Sequence, residues 1–305
     1  MKRKPPCLLR FHGVRGSRPT HQIELLGFGG NTTCIEIDTG LDFILAIDGG
    51  SGLQHISQRL GNHPNHRKIH LLITHTHWDH VLFLPFLKQL HNPDCEIHIH
   101  APDVGTQSFS ELFNLLFKHG RLPVPRDRVK SKLVFHRVQP GVDFLIEGKI
   151  KVSSIQVNHQ HITLGYKFGL PEASIAVITD AATMALGNIL GQGMQERAAL
   201  IGKKSLEAEY NNQLKQFLHG VDNLVFDTHF NAQNLKSDWG HATPEIALEL
   251  CAKAKIKRLF MFHHAPEDSD RRVAMKQIYA RNIALKHGIE VINAREEDEW
   301  PLASA

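Results

Sequence analysis

The sequence predicts a mixed α/β fold assembled from two strand-rich stretches, and three observations carry that prediction. Short runs rich in β-branched and aromatic residues recur over residues 8–101 and again over 132–180, each stretch being followed by apolar residues at helical spacing. "KIHLLIT" (68–74) is a nearly continuous apolar run, as a strand covered on both faces requires. With 305 residues and 42% apolar composition, the chain can bury a full core in one large domain.

Taken in order, "LLRFHG", "TTCIEID" and "DFILAID" read as three opening strands, with "GFGGN" as the glycine-rich turn before the second. "KIHLLIT" ends at the cluster "HTHWDH", after which "HVLFLPFLKQL" reads as a helix kinked at Pro85. "EIHIHA" resumes strand. "GTQSFSELFNLLFKHG" carries helical spacing and closes on Gly120, and "RLPVPRDR" after it reads as loop. "KLVFHRV", "VDFLI", "KIKVSSIQVN", "LGYKFG" and "SIAVITD" repeat the strand pattern, which "NLVFD" and "IKRLFMF" complete. Residues 181–220 read as two helices without strand, an insertion in an otherwise single domain spanning 1–305. Its expected role is a cap over the site or a homodimer contact.

Composition narrows the function classes. The formal charge of +4 is small for this length, and the basic residues are scattered apart from the MKRK start, so a nucleic-acid-coating surface is not expected. No apolar stretch reaches the roughly 20 residues of a membrane span, and the first residues lack the apolar core of a signal peptide. A cytoplasmic protein that does not touch membranes is therefore the expectation. Cys7, Cys34, Cys95 and Cys251 form no CxxC pair and read as reduced structural thiols. Histidine stands out, with 22 copies.

The chemistry concentrates at residues 75–80. His75 and His77 lie two apart just past a strand end, so in an extended segment they face the same side and can share one metal ion. Asp79 and His80 follow at the turn into a helix and can reach a second ion. Imidazole and carboxylate without thiolate suit zinc first, with manganese or iron as alternatives.

This HxHxDH pattern at the end of a core strand resembles the metallo-β-lactamase superfamily, and the resemblance follows nearly the whole chain. It implies a four-layer αββα sandwich with a dinuclear metal site at one edge. It also implies downstream ligands at strand ends, matched here by His159 after "KIKVSSIQVN", Asp180 ending "SIAVITD" and His263 after "IKRLFMF". By this resemblance His75, His77 and His159 hold one divalent ion, Asp79, His80 and His263 hold the other, and Asp180 bridges them. Asp48 in "FILAIDGGSG" matches an aspartate that supports the site without ligating. His161 rivals His159 and His264 rivals His263, the residues directly at the strand ends being preferred. His91, His98, His100, His119, His136 and His287 are read as surface or packing histidines.

"FHGVRGSRPT" and "FGGNTTCIEID" resemble the phosphodiesterase-like branch, which contains ribonuclease Z and cyclic-phosphate phosphodiesterases. "LVFDTHF" followed by "WGHATPEIALELCAKAKIKRLFMFHH" resembles the ribonuclease Z pairing of an acid with a histidine, here Asp227 and His241. A carboxylate that orients an imidazole equips it to protonate a leaving alkoxide. The bland alternative makes His241 a neighbour of a helix capped by Thr243, with Pro244 at its first position. Asp79, His241 and Asp227 are thus the expected catalytic residues. The long tRNA-gripping arm of ribonuclease Z lies between the third histidine and the bridging aspartate, yet His159 and Asp180 are only 21 positions apart. The expected activity is hydrolysis of a small or cyclic phosphodiester, such as a cyclic nucleotide, through a hydroxide bridging two metal ions, with RNA not expected as substrate. Ester, lactone or thioester hydrolysis on the same site is the nearest alternative. A di-iron redox, sensor or binding protein is the alternative of another class.

Overall fold

In the computed structural model residues 6–61, 67–118, 122, 125–181, 190–191, 193–236 and 239–302 are described. The first strands are β1 (Leu8–Gly13), β2 (Cys34–Asp38), β3 (Ile44–Ile47), β4 (Lys68–Leu72), β5 (Glu96–Ala101) and β6 (Lys132–Arg137). The second series runs β7 (Phe144–Ile146), β8 (Ile150–Val157), β9 (Thr163–Gly169), β10 (Ser174–Ile178), β11 (Asn223–Asp227), β12 (Arg258–Phe262) and β13 (Glu290–Asn293). A last short strand, β14 (Glu299–Pro301), returns to pair with β1. Among the described residues these form two seven-stranded sheets, ordered β14-β1-β2-β3-β4-β5-β6 and β13-β12-β11-β10-β9-β8-β7.

Alternation of side chains decides the layers. Leu9, Phe11, Ile35, Ile37, Leu45 and Ile47 of the first sheet meet Val152, Tyr166, Phe168, Val225, Phe260 and Phe262 of the second in one core. Truncating a fully buried phenylalanine such as Phe260 to alanine should cost about 3–5 kcal/mol. The Tyr166 hydroxyl crosses between the sheets to donate to the Ile73 carbonyl at 2.8 Å. On the outer face of the first sheet, Ile69, Leu71, Ile97 and Ile99 pack under helices α1 (Leu53–Leu60), α2 (Trp78–Val81) and α3 (Phe109–Leu116). The outer face of the second carries α4 (Met194–Ile201), α5 (Lys203–Leu218), α6 (Pro244–Ala254) and α7 (Asp270–Ala284). The result is the expected four-layer αββα sandwich.

Local chemistry explains most element boundaries. Ser108 and Glu111 close a reciprocal capping box at the start of α3. Leu206, Tyr210, Leu214 and Leu218 recur every fourth residue along α5; the last three are buried against the second sheet, and Leu206 is buried with Ala198 of α4 and Leu190. This helix and α4 are the described part of the expected 181–220 insertion, of which residues 182–189 and 192 lie outside the described residues. Gly120 and His119, and Arg121 of the following loop, also lie outside them. Pro244 does open α6, but the Thr243 side chain makes no capping bond there.

One expected element is different. After Asp79 the chain forms the four-residue α2 and two 3-10 turns, Leu84–Phe86 and Lys88–His91, instead of one kinked helix. The Phe83 N–H is diverted to the Gly49 carbonyl at 2.9 Å, while Gly49 N–H donates back to the His80 carbonyl at 2.6 Å. The turn after β3 thus takes the hydrogen bonds a continuous helix would need, and Pro85 has no N–H to restore them. Cys7, Cys34, Cys95 and Cys251 are buried and form no disulfide among the described residues. No helix among the described residues is long and apolar enough to cross a membrane.

Candidate metal centre

Strands β3, β4, β8, β10, β11 and β12 all deliver a polar side chain at or just past their C-terminal ends, where open α/β sheets place their ligands. After β4, His75 Nε2 lies 2.9 Å from His77 Nδ1, and His159 Nε2 lies 3.2 Å from that same Nδ1. After β10, Asp180 Oδ2 sits 4.0 Å from His75 Nε2 and 3.8 Å from His159 Nε2. The other oxygen, Asp180 Oδ1, is 3.1 Å from His80 Nε2. His263 Nε2 lies 3.2 Å from Asp79 Oδ2 and 3.3 Å from Asp180 Oδ2. The seven residues therefore gather as two donor groups, His75–His77–His159 and Asp79–His80–Asp180–His263, which meet at Asp180.

Asp48 explains how this turn is held. It lies at the end of β3 in a left-handed conformation, φ 61°, and is fully buried. Its Oδ1 accepts the Thr74 N–H at 2.7 Å, and its Oδ2 accepts the Thr74 hydroxyl at 2.8 Å and His80 Nδ1 at 2.7 Å. Holding the proton on Nδ1 leaves the lone pair of His80 Nε2 aimed at Asp79 and Asp180. Likewise His159 donates from Nδ1 to the Gly240 carbonyl at 2.9 Å, freeing Nε2. Gly240 has φ 79°, and a Cβ there would come within 2.5 Å of His159 Nδ1. The opening segment "FHGVRGS" forms the floor: Ser17 N–H donates to Asp79 Oδ2 at 2.7 Å, and a Cβ on Gly16 would strike the His263 ring at 2.4 Å. The fully buried Arg15 anchors that segment through the carbonyls of Gly29, Ala265 and Asp268.

The electrostatics separate the two groups. Burial first, then the neighbouring imidazoles, pushes His75 well below the usual histidine value, and burial brings His159 down to about 3. These are neutral imidazoles, the form that ligates metal. Burial alone would push the Asp180 carboxyl up, but His263, His80 and His75 hold it well below the usual carboxylate range. His80 Nε2 and Asp180 Oδ1, both buried, face each other at 3.1 Å without well-formed hydrogen-bond geometry. Seven converging nitrogen and oxygen donors, with that poorly bonded pair among them, fit divalent metal ions and no purely hydrogen-bonded network.

Beside this cluster, His241 Nδ1 donates to Asp227 Oδ2 at 2.8 Å, and Asp227 is fully buried. The same carboxylate accepts the His229 and Ala181 N–H groups at 2.8 and 3.1 Å. One donor atom each of His159, Asp180 and His241 lies within 4.8 Å of the others, so His241 borders the metal cluster. Of the rival histidines, His161 is exposed and outside these donor groups, and His264 is turned away to donate to the Ala294 carbonyl at 2.8 Å. His229 is a residue that the motif analysis missed. Its ring stacks on His241 at 4.5 Å and 15°, and its Nδ1 donates to the His263 carbonyl at 3.2 Å. Its position two after Asp227 at a strand end was the available signal.

A model of the beta-lactamase superfamily domain matches residues 33–201 of the chain. The chain belongs to the beta-lactamase superfamily. This superfamily member is similar to the ribonuclease Z of Picrophilus torridus, at 23% identity over 307 residues covering 85% of this chain and 90% of that one. The metallo-beta-lactamase fold protein YhfI from Bacillus subtilis superposes with a TM-score of 0.67 at 16% identity, covering 97% of this chain and 99% of that one. A diphosphatase from the PhnP family gives 0.63 at 16% identity, with 98% and 100% covered. At these identities the two structures establish the metallo-β-lactamase fold.

Proposed function

We propose that the protein is a metal-dependent phosphodiester hydrolase whose substrates are small or cyclic phosphodiesters, cyclic nucleotides among them. The observation that carries this reading is the buried Asp227–His241 pair, joined at 2.8 Å and set against the seven-residue donor cluster. His75, His77 and His159 would hold one divalent ion and Asp79, His80 and His263 a second, with Asp180 shared. Zinc is favoured by the five imidazoles of this set. Such ions, when bound, lower the pKa of water toward neutrality and neutralise charge on phosphate oxygens.

The chain's own residues supply the rest. Asp227 holds the His241 proton on Nδ1 and compensates the charge of the imidazolium, so Nε2 is the atom left to protonate the departing oxygen. General acid catalysis of this kind contributes roughly 10²- to 10⁴-fold. Asp48 and the Gly240 carbonyl fix the tautomers of His80 and His159, so the donors need no rearrangement when substrate arrives. A small substrate is supported by the segment between His159 and Asp180, which is used up by the antiparallel β9–β10 pair and leaves no extension for gripping RNA. The exposed Trp78 indole directly after His77 offers a flat face to a nucleobase.

The curated relative named ribonuclease Z makes RNA the competing phosphodiester. The test is a panel on the zinc-loaded full chain: 2′,3′- and 3′,5′-cyclic nucleotides, a nitrophenyl phosphodiester, a tRNA precursor, a carboxyl ester and a lactone. Turnover of the cyclic nucleotides above all others is the expected result. Efficient cleavage of the tRNA precursor alone would replace the substrate class. Turnover of ester or lactone with no phosphodiester turnover would overturn the reading.

A further inference from the structure

A second histidine cluster lies inside the sandwich, formed by residues that the sequence pattern assigns only to packing. In the parallel β4-β5-β6 ladder, His70 pairs with His98, and His100 pairs with both Leu72 and His136. The intervening Ile69, Leu71, Ile97 and Ile99 belong to the outer core, so the alternation of each strand turns the histidines to the inner face. There the His100 and His136 rings stack at 4.3 Å and 10°, and the His70 and His98 rings at 4.5 Å and 29°. They line a cavity of 360 Å³ between this sheet and β7, where Phe144 backs His100 and Glu147 closes the rim.

The hydrogen bonds sort the four imidazoles into two kinds. His70 Nδ1 is bonded to His100 Nε2 at 3.1 Å, and His98 Nδ1 to His136 Nε2 at 2.8 Å. Each of His70 and His98 is thus held through Nδ1, as metal ligands are, and each turns Nε2 to a carboxylate, His98 Nε2 lying 3.0 Å from Glu96 Oε1. His70 Nε2 lies 3.2 Å from Glu147 Oε1, and one donor atom each of His70, His98 and Glu147 lies within 4.8 Å of the others. Two ligands at tetrahedral zinc, each about 2.0–2.1 Å from the metal, sit about 3.3 Å apart. Burial, with His98 next, brings His70 down to about 4, and burial, with His136 and His70, brings His100 down to about 2.

Glu147 adds an independent observation. It occupies the turn between β7 and β8, where Lys149 N–H returns to the Ile146 carbonyl at 2.9 Å. Glu147 and Gly148 both have positive φ, 51° and 65°, the pattern of a turn that favours Asn-Gly. A glutamate there is strained, and its side chain is the one that reaches His70. Lys68 binds the other oxygen, Oε2, at 2.9 Å and so leaves the oxygen facing His70 unoccupied, whereas Lys132 at 2.8 Å shares Glu96 Oε1 with His98.

We infer that His70, His98 and Glu147 form a further divalent-metal site, of zinc-binding type, with His100 and His136 as positioning residues and the remaining coordination position open to the cavity. The inference is independent of the catalytic reading.

The test uses chelator-stripped full-length protein and zinc as the probe. Bound equivalents are measured for the wild type, Glu147→Asn and His98→Ala, and zinc-soaked crystals are examined by anomalous diffraction at the zinc edge. The wild type should bind one equivalent more than either variant, with an anomalous peak bounded by His70, His98 and Glu147. Asparagine suits the left-handed turn, so Glu147→Asn should keep or raise the thermal midpoint while losing the peak. His100→Ala should weaken this zinc about 10- to 100-fold without abolishing it. Equal zinc in all three proteins, or no peak at this cluster in zinc-saturated wild-type crystals, overturns the inference.

Discussion

Replacing Asp48 with asparagine should cripple metal binding without touching a ligand. Three donors converge on this fully buried carboxylate: the Thr74 N–H, the Thr74 hydroxyl and His80 Nδ1. The asparagine carbonyl can keep the Thr74 N–H, which places its NH₂ against His80 Nδ1. Two donors cannot face each other, so His80 must move its proton to Nε2, the atom 3.1 Å from Asp180 Oδ1 and 3.2 Å from Asp79 Oδ2. That proton occupies the lone pair the metal needs. Loss of such a supporting partner lowers metal affinity about 10- to 100-fold, which corresponds to about 1.4–2.7 kcal/mol. Competition against a chromophoric chelator reads the affinity directly, with circular dichroism reporting the fold. Zinc affinity and stoichiometry equal to wild type in a folded Asp48→Asn protein would refute the tautomer argument.

Other consequences can be measured alongside. His241→Ala should lose about 10²- to 10⁴-fold in kcat on a cyclic nucleotide but far less on a nitrophenyl phosphodiester, whose leaving group needs no proton, with metal content retained. Asp227→Asn should lose less than His241→Ala, and equal losses on both substrates would make His241 structural. Stacking on an aromatic contributes about 1–3 kcal/mol per base, so Trp78→Ala should raise KM for a cyclic nucleotide on the order of tenfold and leave a base-free phosphodiester unaffected. Burial pushes the Glu36 carboxyl up, but His12 and Arg59 overcome this and hold it at about 2. Its folded value is depressed, so its stabilisation is present above the unfolded value near 4.5 and is lost as pH falls toward 2. Urea unfolding should therefore show Glu36→Gln about 3 kcal/mol less stable than wild type at pH 7. The difference should shrink below pH 4.5, and a pH-independent difference would contradict the ion-pair account.

Much of the fold is legible in the chain because its strands are short apolar runs bounded by turn residues, and "HTHWDH" marks the site through its spacing alone. The break in the helix expected after Asp79 has no local signature, because the competing bonds come from Gly49, some thirty positions earlier. β14 is three residues long and pairs with β1 from the far end of the chain, so neither its length nor its register has a local signature. His98, His100 and His136 read as packing residues because "EIHIHA" shows alternation but not what stands opposite. Only the pairing of β4, β5 and β6 stacks them. The nine expected site residues gather in one cluster; eight stand just after or at the end of an apolar strand, and His241 stands before α6, where only its resemblance to an acid–histidine pair marks it.

The central claim is that phosphodiester hydrolysis depends on divalent ions held by this cluster. The direct measurement is the rate of cyclic-nucleotide hydrolysis by the full chain after chelation and again after zinc is restored, with Asp180→Ala treated in parallel. The account predicts no turnover after chelation, recovery with zinc in the wild type, and no recovery in Asp180→Ala. Turnover that survives chelation, or that zinc restores equally in Asp180→Ala, would contradict it.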